Sequence, residues 1–144
     1  MQPPWLYLIA LVPGYALSLG LGRLIVPRFS DWTKRTYLRQ IRQDPDTKPD
    51  PRLASGPSSN ITGWLERGVF TPLVMISPET AAIAMGGWLA LKMAAQWQRE
   101  APKGIGPLEW RGHAFLALQS GFLSMAFAGA GGGLAIYVTC LLRS

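Results

Sequence analysis

Hydrophobic residues are concentrated in blocks that alternate with polar, proline-rich stretches, a layout typical of a small polytopic membrane protein. The longer blocks predict membrane-spanning helices at about 5–26, 79–98 and 112–141. At about 1.5 Å per residue, each is long enough to cross most or all of a hydrocarbon core of about 30 Å. A shorter block at 61–77 predicts a further span, joined to the next one by a tight turn at Ser77-Pro78-Glu79. The sequence therefore predicts an all-α integral membrane protein, a four-span transmembrane helical bundle that forms a single domain over residues 1–144.

The block at 61–77 is the most ambiguous of these segments, because it contains Glu66, Arg67 and Pro72. A re-entrant or interfacial helix is the alternative to a full span, since about 17 residues is the lower limit for crossing a bilayer. The first block is predicted to be a retained span rather than a cleaved signal peptide, because it has no basic residues before it. The last block contains the run GAGGG at 129–133, which predicts a tilt, a bend or a break in that helix.

The polar stretch at 28–60 is predicted to begin where Pro27 ends the first span. Within this stretch, SDWTKRTYLRQIRQ places apolar residues at helical spacing among basic ones. That pattern predicts a short amphipathic helix lying at the membrane interface. The remainder, 44–60, has four prolines and few apolar residues, so it is predicted to be extended or disordered.

The distribution of charged residues along the chain predicts its orientation in the membrane. Charged residues make up only 15% of the chain and apolar residues 49%. With four spans, the loops at 28–60 and 99–111 and the adjoining helix ends hold every lysine and arginine except Arg143. Because basic residues are retained in the cytoplasm, this asymmetry predicts cytoplasmic loops, N and C termini outside, and a bacterial cytoplasmic (inner) membrane. Topology and anionic lipid already explain the basic loop, so no nucleic-acid partner is predicted.

Small residues recur every four positions in three of the predicted spans, which places them on one face of each helix. Small side chains let membrane helices approach closely, and close approach supplies the van der Waals contact that holds such helices together in lipid. These faces are predicted to form the core of the bundle, or in one case to dock onto another subunit. The first, second and third small-residue faces are Ala10, Gly14, Ser18 and Gly22; Ala82, Gly86, Ala90 and Ala94; and Ser120, Ser124, Ala128 and Gly132.

Lys92 is an ionisable residue well inside an apolar block. Counted from the turn at Ser77, Glu66 lies about 16 Å along its helix and Lys92 about 20 Å along the next, so both reach nearly the same depth. This match predicts an intramembrane ion pair between Glu66 and Lys92 near the cytoplasmic interface, with Arg67 directed toward the headgroups. Two other interpretations stay open, in which Lys92 extends its ammonium to the interface or takes part in proton or ion coupling.

Residue patterns that would support catalysis are missing from the sequence. It has no nucleophile elbow, P-loop, HExxH motif or paired carboxylates, so no enzyme activity, catalytic residue or cofactor is predicted. His113 and Cys140 are the only histidine and cysteine, and about 40 Å of helix separates them, so no metal site is predicted either. His113 is predicted to be an interfacial hydrogen-bonding residue.

The function is predicted only coarsely from these observations. The small-residue faces favour a non-enzymatic accessory or structural subunit, in contact with membrane lipid, that associates with other membrane protein subunits or with itself. The alternative is a component of a small oligomeric channel or transporter that uses Glu66, Lys92 and the glycine-rich last helix.

Overall fold

The described part of the chain is helical almost throughout. The structure is a computed structural model that describes residues 4–41, 58–98 and 107–143. Helix α1 (Pro4–Tyr15) continues through a π-helical segment (Ala16–Leu21) into α2 (Gly22–Ile41), and α3 (Ser58–Ile76), α4 (Pro78–Trp97) and α5 (Pro107–Leu141) follow. These ranges contain no strand, so the predicted all-helical class is confirmed for the described residues.

Two helical stretches within the described residues are long and apolar enough to cross a membrane. They are Trp5–Thr33 and Trp110–Leu141, which contain the first and the last of the predicted spans. Helices α3 and α4 do not meet the same length and composition criteria. Length and composition therefore support membrane insertion at two of the four predicted spans.

The predicted break at Pro27 is wrong, because α2 continues through this proline to Ile41. Proline removes one backbone N–H but has a φ that suits a helix, and the loss of one hydrogen bond does not end this one. The predicted amphipathic helix is therefore an extension of the first span. Its threonine hydroxyls donate back along the helix, Thr33 to the carbonyl of Phe29 at 2.8 Å and Thr36 to that of Trp32 at 3.0 Å. Of the predicted extended segment at 44–60, residues 44–57 lie outside the described residues, and the prediction is wrong for 58–60, which form the start of α3.

Helices α3 and α4 form the predicted hairpin around Ser77. The hydroxyl of Ser77 accepts a hydrogen bond from the backbone N–H of Thr80 at 3.3 Å, and Pro78 occupies the start of the helix. A serine cap followed by proline suits a helix start, because the hydroxyl satisfies a free N–H and proline lacks one. With 19 residues, α3 is about 28 Å long, close to the thickness of a hydrocarbon core.

Helix α5 is the central element of the fold, since it contacts α1, the π-helical segment, α2, α3 and α4. It is a continuous α-helix through 129–133, so the glycine run does not break it. At Gly131 it crosses α1 at backbone contact. A β-carbon on Gly14 would lie 2.6 Å from the carbonyl oxygen of Gly131, closer than such atoms approach. Glycine is therefore required where these two helices cross.

The three small-residue faces have different surroundings. All four residues of the first face are buried, as are Ser124, Ala128 and Gly132 of the third, with Ser120 half-buried. All four residues of the second face are exposed, so its predicted place in the bundle core is wrong. Helix α4 instead buries Ala81 and packs Ala84, Met85 and Leu89 against the cluster that contains Phe70 and Met125.

The two ends of the described chain meet at one end of the bundle. The guanidinium of Arg143, just after α5, donates to the hydroxyl of Tyr7 in α1 at 2.8 Å and lies 5.5 Å from the centroid of its ring. Each contact is exposed and contributes little stability by itself. Together they place the start of α1 beside the end of α5.

Candidate functional site

The structure brings the carboxylate of Glu66 and the ammonium of Lys92 into contact. Lys92 Nζ donates to Glu66 Oε1, and Trp88 Nε1 donates to the same oxygen at 2.8 Å. Glu66 is almost completely buried, whereas 28% of the Lys92 side chain is exposed. One helical turn separates Trp88 from Lys92 on α4, so both reach the single carboxylate on α3. These contacts fix the angle at which the two helices of the hairpin pack.

Only one of the two carboxylate oxygens of Glu66 is satisfied by the described residues. Oε2 is buried and has no hydrogen-bond partner among them. Burying an unpaired oxygen of a carboxylate is costly, so the contacts at Oε1 offset this cost as well as joining the helices.

Arg67, the next residue along α3, is buried inside the helical bundle. Only 4% of it is exposed, and its Nη1 donates to Ser124 Oγ of α5 at 3.1 Å. Ser124 Oγ in turn donates to the carbonyl of Gly63 at 3.1 Å. The prediction that Arg67 points toward the headgroups is wrong.

Glycine in the first small-residue face creates the space that Arg67 fills. A β-carbon on Gly22 would lie 2.8 Å from Cδ of Arg67 and 3.0 Å from its Nε, so the stem of the arginine crosses the bare backbone there. Sequence reasoning missed this packing. The available signal is that Gly22 and Ser124 belong to faces that point inward, and an arginine beside them can be covered by both helices.

The cluster formed by Glu66, Lys92 and Arg67 carries one negative and two positive charges. The Glu66–Lys92 contact is the one ion pair that the described ranges contain. Arg67 has the hydrogen bond to Ser124, but its Nε is buried and has no partner there. The cluster therefore has an excess positive charge located on a side chain removed from solvent.

Two further hydrogen bonds fix α3 against the first helix. Thr71 Oγ1 donates to Ser18 Oγ at 2.8 Å in a fully buried contact, and Tyr15 donates through its hydroxyl to the carbonyl of Gly68 at 3.0 Å. Ser18 belongs to the first small-residue face and lies in the π-helical segment. Helix α3 is thus held on three sides, by α1, α4 and α5, which makes its charged residues part of a rigid arrangement.

The remaining candidate residues lie apart from this cluster. Cys140 is an exposed free thiol near the end of α5. His113 is in the first part of the same helix. Among the described residues, no three histidine, cysteine, aspartate or glutamate side chains come together as potential metal ligands.

Comparison with known proteins does not assign this chain to a family. The chain matches no known family model, no curated protein and no solved structure.

Proposed function

We propose that this chain is a small four-span protein of a bacterial inner membrane, and that it acts as a non-enzymatic accessory subunit by packing against helices of another membrane protein. The observation that carries this proposal is the outward orientation of the second small-residue face. In lipid, helices associate through such faces because close backbone approach replaces the missing hydrophobic force.

Contact made by the first and third faces shows how the second one differs. Gly14 of the first face meets the backbone of Gly131, and Gly132 of the third face lies against Val74, whereas a β-carbon built on Gly86 of the second face would have no atom of another element within 4 Å. The opposite side of α4 already holds this helix against α3 and α5. The second face is therefore free to accept a partner helix without any rearrangement of the bundle.

The channel alternative depends on features that are used for contacts inside the chain. Glu66 and Lys92 bind each other, and Gly131 and Gly132 of the glycine-rich run pack against the first helix and α3. An accessory role needs only the exposed face of α4, so it is the function that the geometry supports better.

The proposal predicts that Gly86→Leu combined with Ala90→Leu reduces capture of the partner about tenfold or more. Overpacking a close helix contact costs about 1–3 kcal/mol, and about 1.4 kcal/mol corresponds to a factor of ten. The measurement is affinity purification in a mild detergent, followed by quantitative mass spectrometry of co-purifying membrane proteins. Gly133→Leu is the matched control, because Gly133 is also exposed and a β-carbon there meets nothing.

Loss of the same proteins from the α4 double variant but not from Gly133→Leu would support the accessory role. Recovery of this chain alone, or only of copies of itself, from the unaltered protein would contradict it.

The proposed orientation predicts that the single cysteine is labelled from outside the cell. Cys140 is exposed near the end of α5, so a membrane-impermeant maleimide should modify it in intact cells. In the variant Cys140→Ser with Gln98→Cys, the thiol lies after α4 on the side assigned to the cytoplasm, and labelling should require cell disruption. The contact between Tyr7 and Arg143 supports termini on one side. The reverse labelling pattern would refute this orientation.

A further inference from the structure

A crevice between α2 and α3 contains the excess positive charge of the cluster. It has a volume of about 480 Å³ and is lined by Arg23, Pro27, Ile61, Trp64, Leu65 and Arg67. Arg23 is exposed at the rim, whereas Arg67 is almost completely buried and keeps an unpartnered Nε within the described structure. From this arrangement we infer that the crevice binds the phosphate of an anionic phospholipid.

Charge balance is the first argument for an anionic ligand. A buried charge is costly unless it is paired, and the one carboxylate of the cluster, that of Glu66, already forms an ion pair with Lys92 through Oε1. Arg23 adds a second positive charge to the same crevice. Both arginines line the crevice, and arginine suits a phosphate because the planar set of N–H donors on its guanidinium matches phosphate oxygens in pairs.

The apolar wall of the crevice identifies a lipid rather than a soluble phosphate as the occupant. Ile61, Trp64 and Leu65 are each more than half exposed and lie on one side of α3, beside the arginines. Acyl chains can cover these three side chains while the headgroup enters the crevice that Arg23 and Arg67 line. Basic pockets between membrane helices on the cytoplasmic side hold lipid headgroups in this manner.

This inference rests on the membrane insertion in the proposed function, but not on the docking of α4. The described residues that line the crevice belong to α2 and α3, and none of them belongs to α4. A failure of lipid binding would therefore leave the accessory role standing, and a failure to capture a partner would leave the lipid site standing.

Native mass spectrometry of the whole protein tests the site. The protein is released from nanodiscs that contain equal amounts of phosphatidylglycerol and phosphatidylcholine with identical acyl chains. We expect retention of phosphatidylglycerol over phosphatidylcholine, and Arg23→Gln should weaken this retention about fivefold, the factor expected for one arginine near a membrane surface. Arg28→Gln is the matched control: Arg28 is exposed on the same helix, five residues from Arg23, and does not line the crevice.

Arg67→Lys provides an independent variant that keeps the charge and removes the paired donors of the guanidinium, and it should also weaken retention. Equal retention of the two lipids by the unaltered protein would overturn the inference. So would equal losses in Arg23→Gln and Arg28→Gln, which indicate only general attraction to a charged surface. Displacement of the lipid by millimolar inorganic phosphate would overturn the assignment to a lipid, because a soluble anion would then suffice.

Discussion

Gly131→Ala is expected to lower the free energy of unfolding by about 1–3 kcal/mol relative to Gly133→Ala, the usual range for overpacking a well-packed contact. The new β-carbon would lie 2.5 Å from the carbonyl oxygen of Gly14 and 2.8 Å from Cβ of Ser18. Both neighbours are held by helical backbone, so α1 and α5 must separate to admit one methyl group. Thermal and chemical unfolding of the purified protein in detergent would measure the difference.

Gly133→Ala controls for the gain in helix propensity, because Gly133 lies in the same helix and a β-carbon there meets nothing within 4 Å. Gly14→Ala should destabilise to a similar extent, since it enters the same crossing from the other side. The combination of Gly14→Ala and Gly131→Ala should cost less than the sum, because the helices need to separate only once. If Gly131→Ala and Gly133→Ala unfold alike, the close crossing is not present in the folded protein.

Lys92→Met is expected to destabilise the protein by up to about 3 kcal/mol, at the low end of the range for breaking a buried ion pair. The buried carboxylate of Glu66 would then keep only the Trp88 hydrogen bond at Oε1, while Oε2 already lacks a partner among the described residues. The low end applies because 28% of the Lys92 side chain is exposed. The measurement is again reversible unfolding in detergent.

A double variant separates the energy of the Glu66–Lys92 interaction from the separate contributions of the two side chains. Glu66→Gln with Lys92→Met removes both charges and can retain the acceptor for Trp88, so it should be more stable than Lys92→Met alone. The coupling between the two sites should be about 0.5–3 kcal/mol, as for residues in direct contact. Strict additivity of the two substitutions would show that Glu66 and Lys92 do not interact.

The sequence predicts relative positions best in the hairpin of α3 and α4, because the tight turn between them gives both helices a common starting point. Ser77 and Pro78 mark the turn by their chemistry, and helical rise then gives the depth of every residue on either side. Depth alone brings Glu66 and Lys92 to the same level, and the structure has them in contact. No comparable landmark relates α5 to the other helices, so their crossing at Gly14 and Gly131 could not be located from spacing.

Errors in the prediction came from features that sequence leaves undecided. Pro27 weakens a helix by one hydrogen bond, and whether the helix continues depends on flanking contacts that composition does not reveal. Likewise, a repeat of small residues identifies a face but not what covers it. The second small-residue face therefore resembled the other two in sequence, although α4 packs inside through a different face, which contains Ala84, Met85 and Leu89.

The surroundings of Arg67 illustrate a third reason why part of the site could not be predicted from the sequence. Adjacent residues on a helix point about 100° apart, so the predicted pairing of Glu66 with Lys92 does not determine the surroundings of Arg67. Its burial requires the bare backbone of Gly22 on one helix and the hydroxyl of Ser124 on another. Such a three-helix arrangement depends on tertiary packing and has no local signature.

The π-helical segment at Ala16–Leu21 controls the angular alignment of the first helix. In an ideal α-helix, positions four apart advance by about 40° beyond a full turn, so three such steps from Ala10 would rotate Gly22 by about 120°. A π-helical turn holds more residues, and it reverses part of this drift. All four residues of the first small-residue face consequently stay buried along one line. The wide turn therefore accommodates extra backbone while Gly22 stays opposite Arg67. Deletion of a single residue such as Leu19 should convert this turn into α-helix and leave Gly22 within about 20° of the direction of Ala10, so the place of the guanidinium in the bundle should survive the deletion.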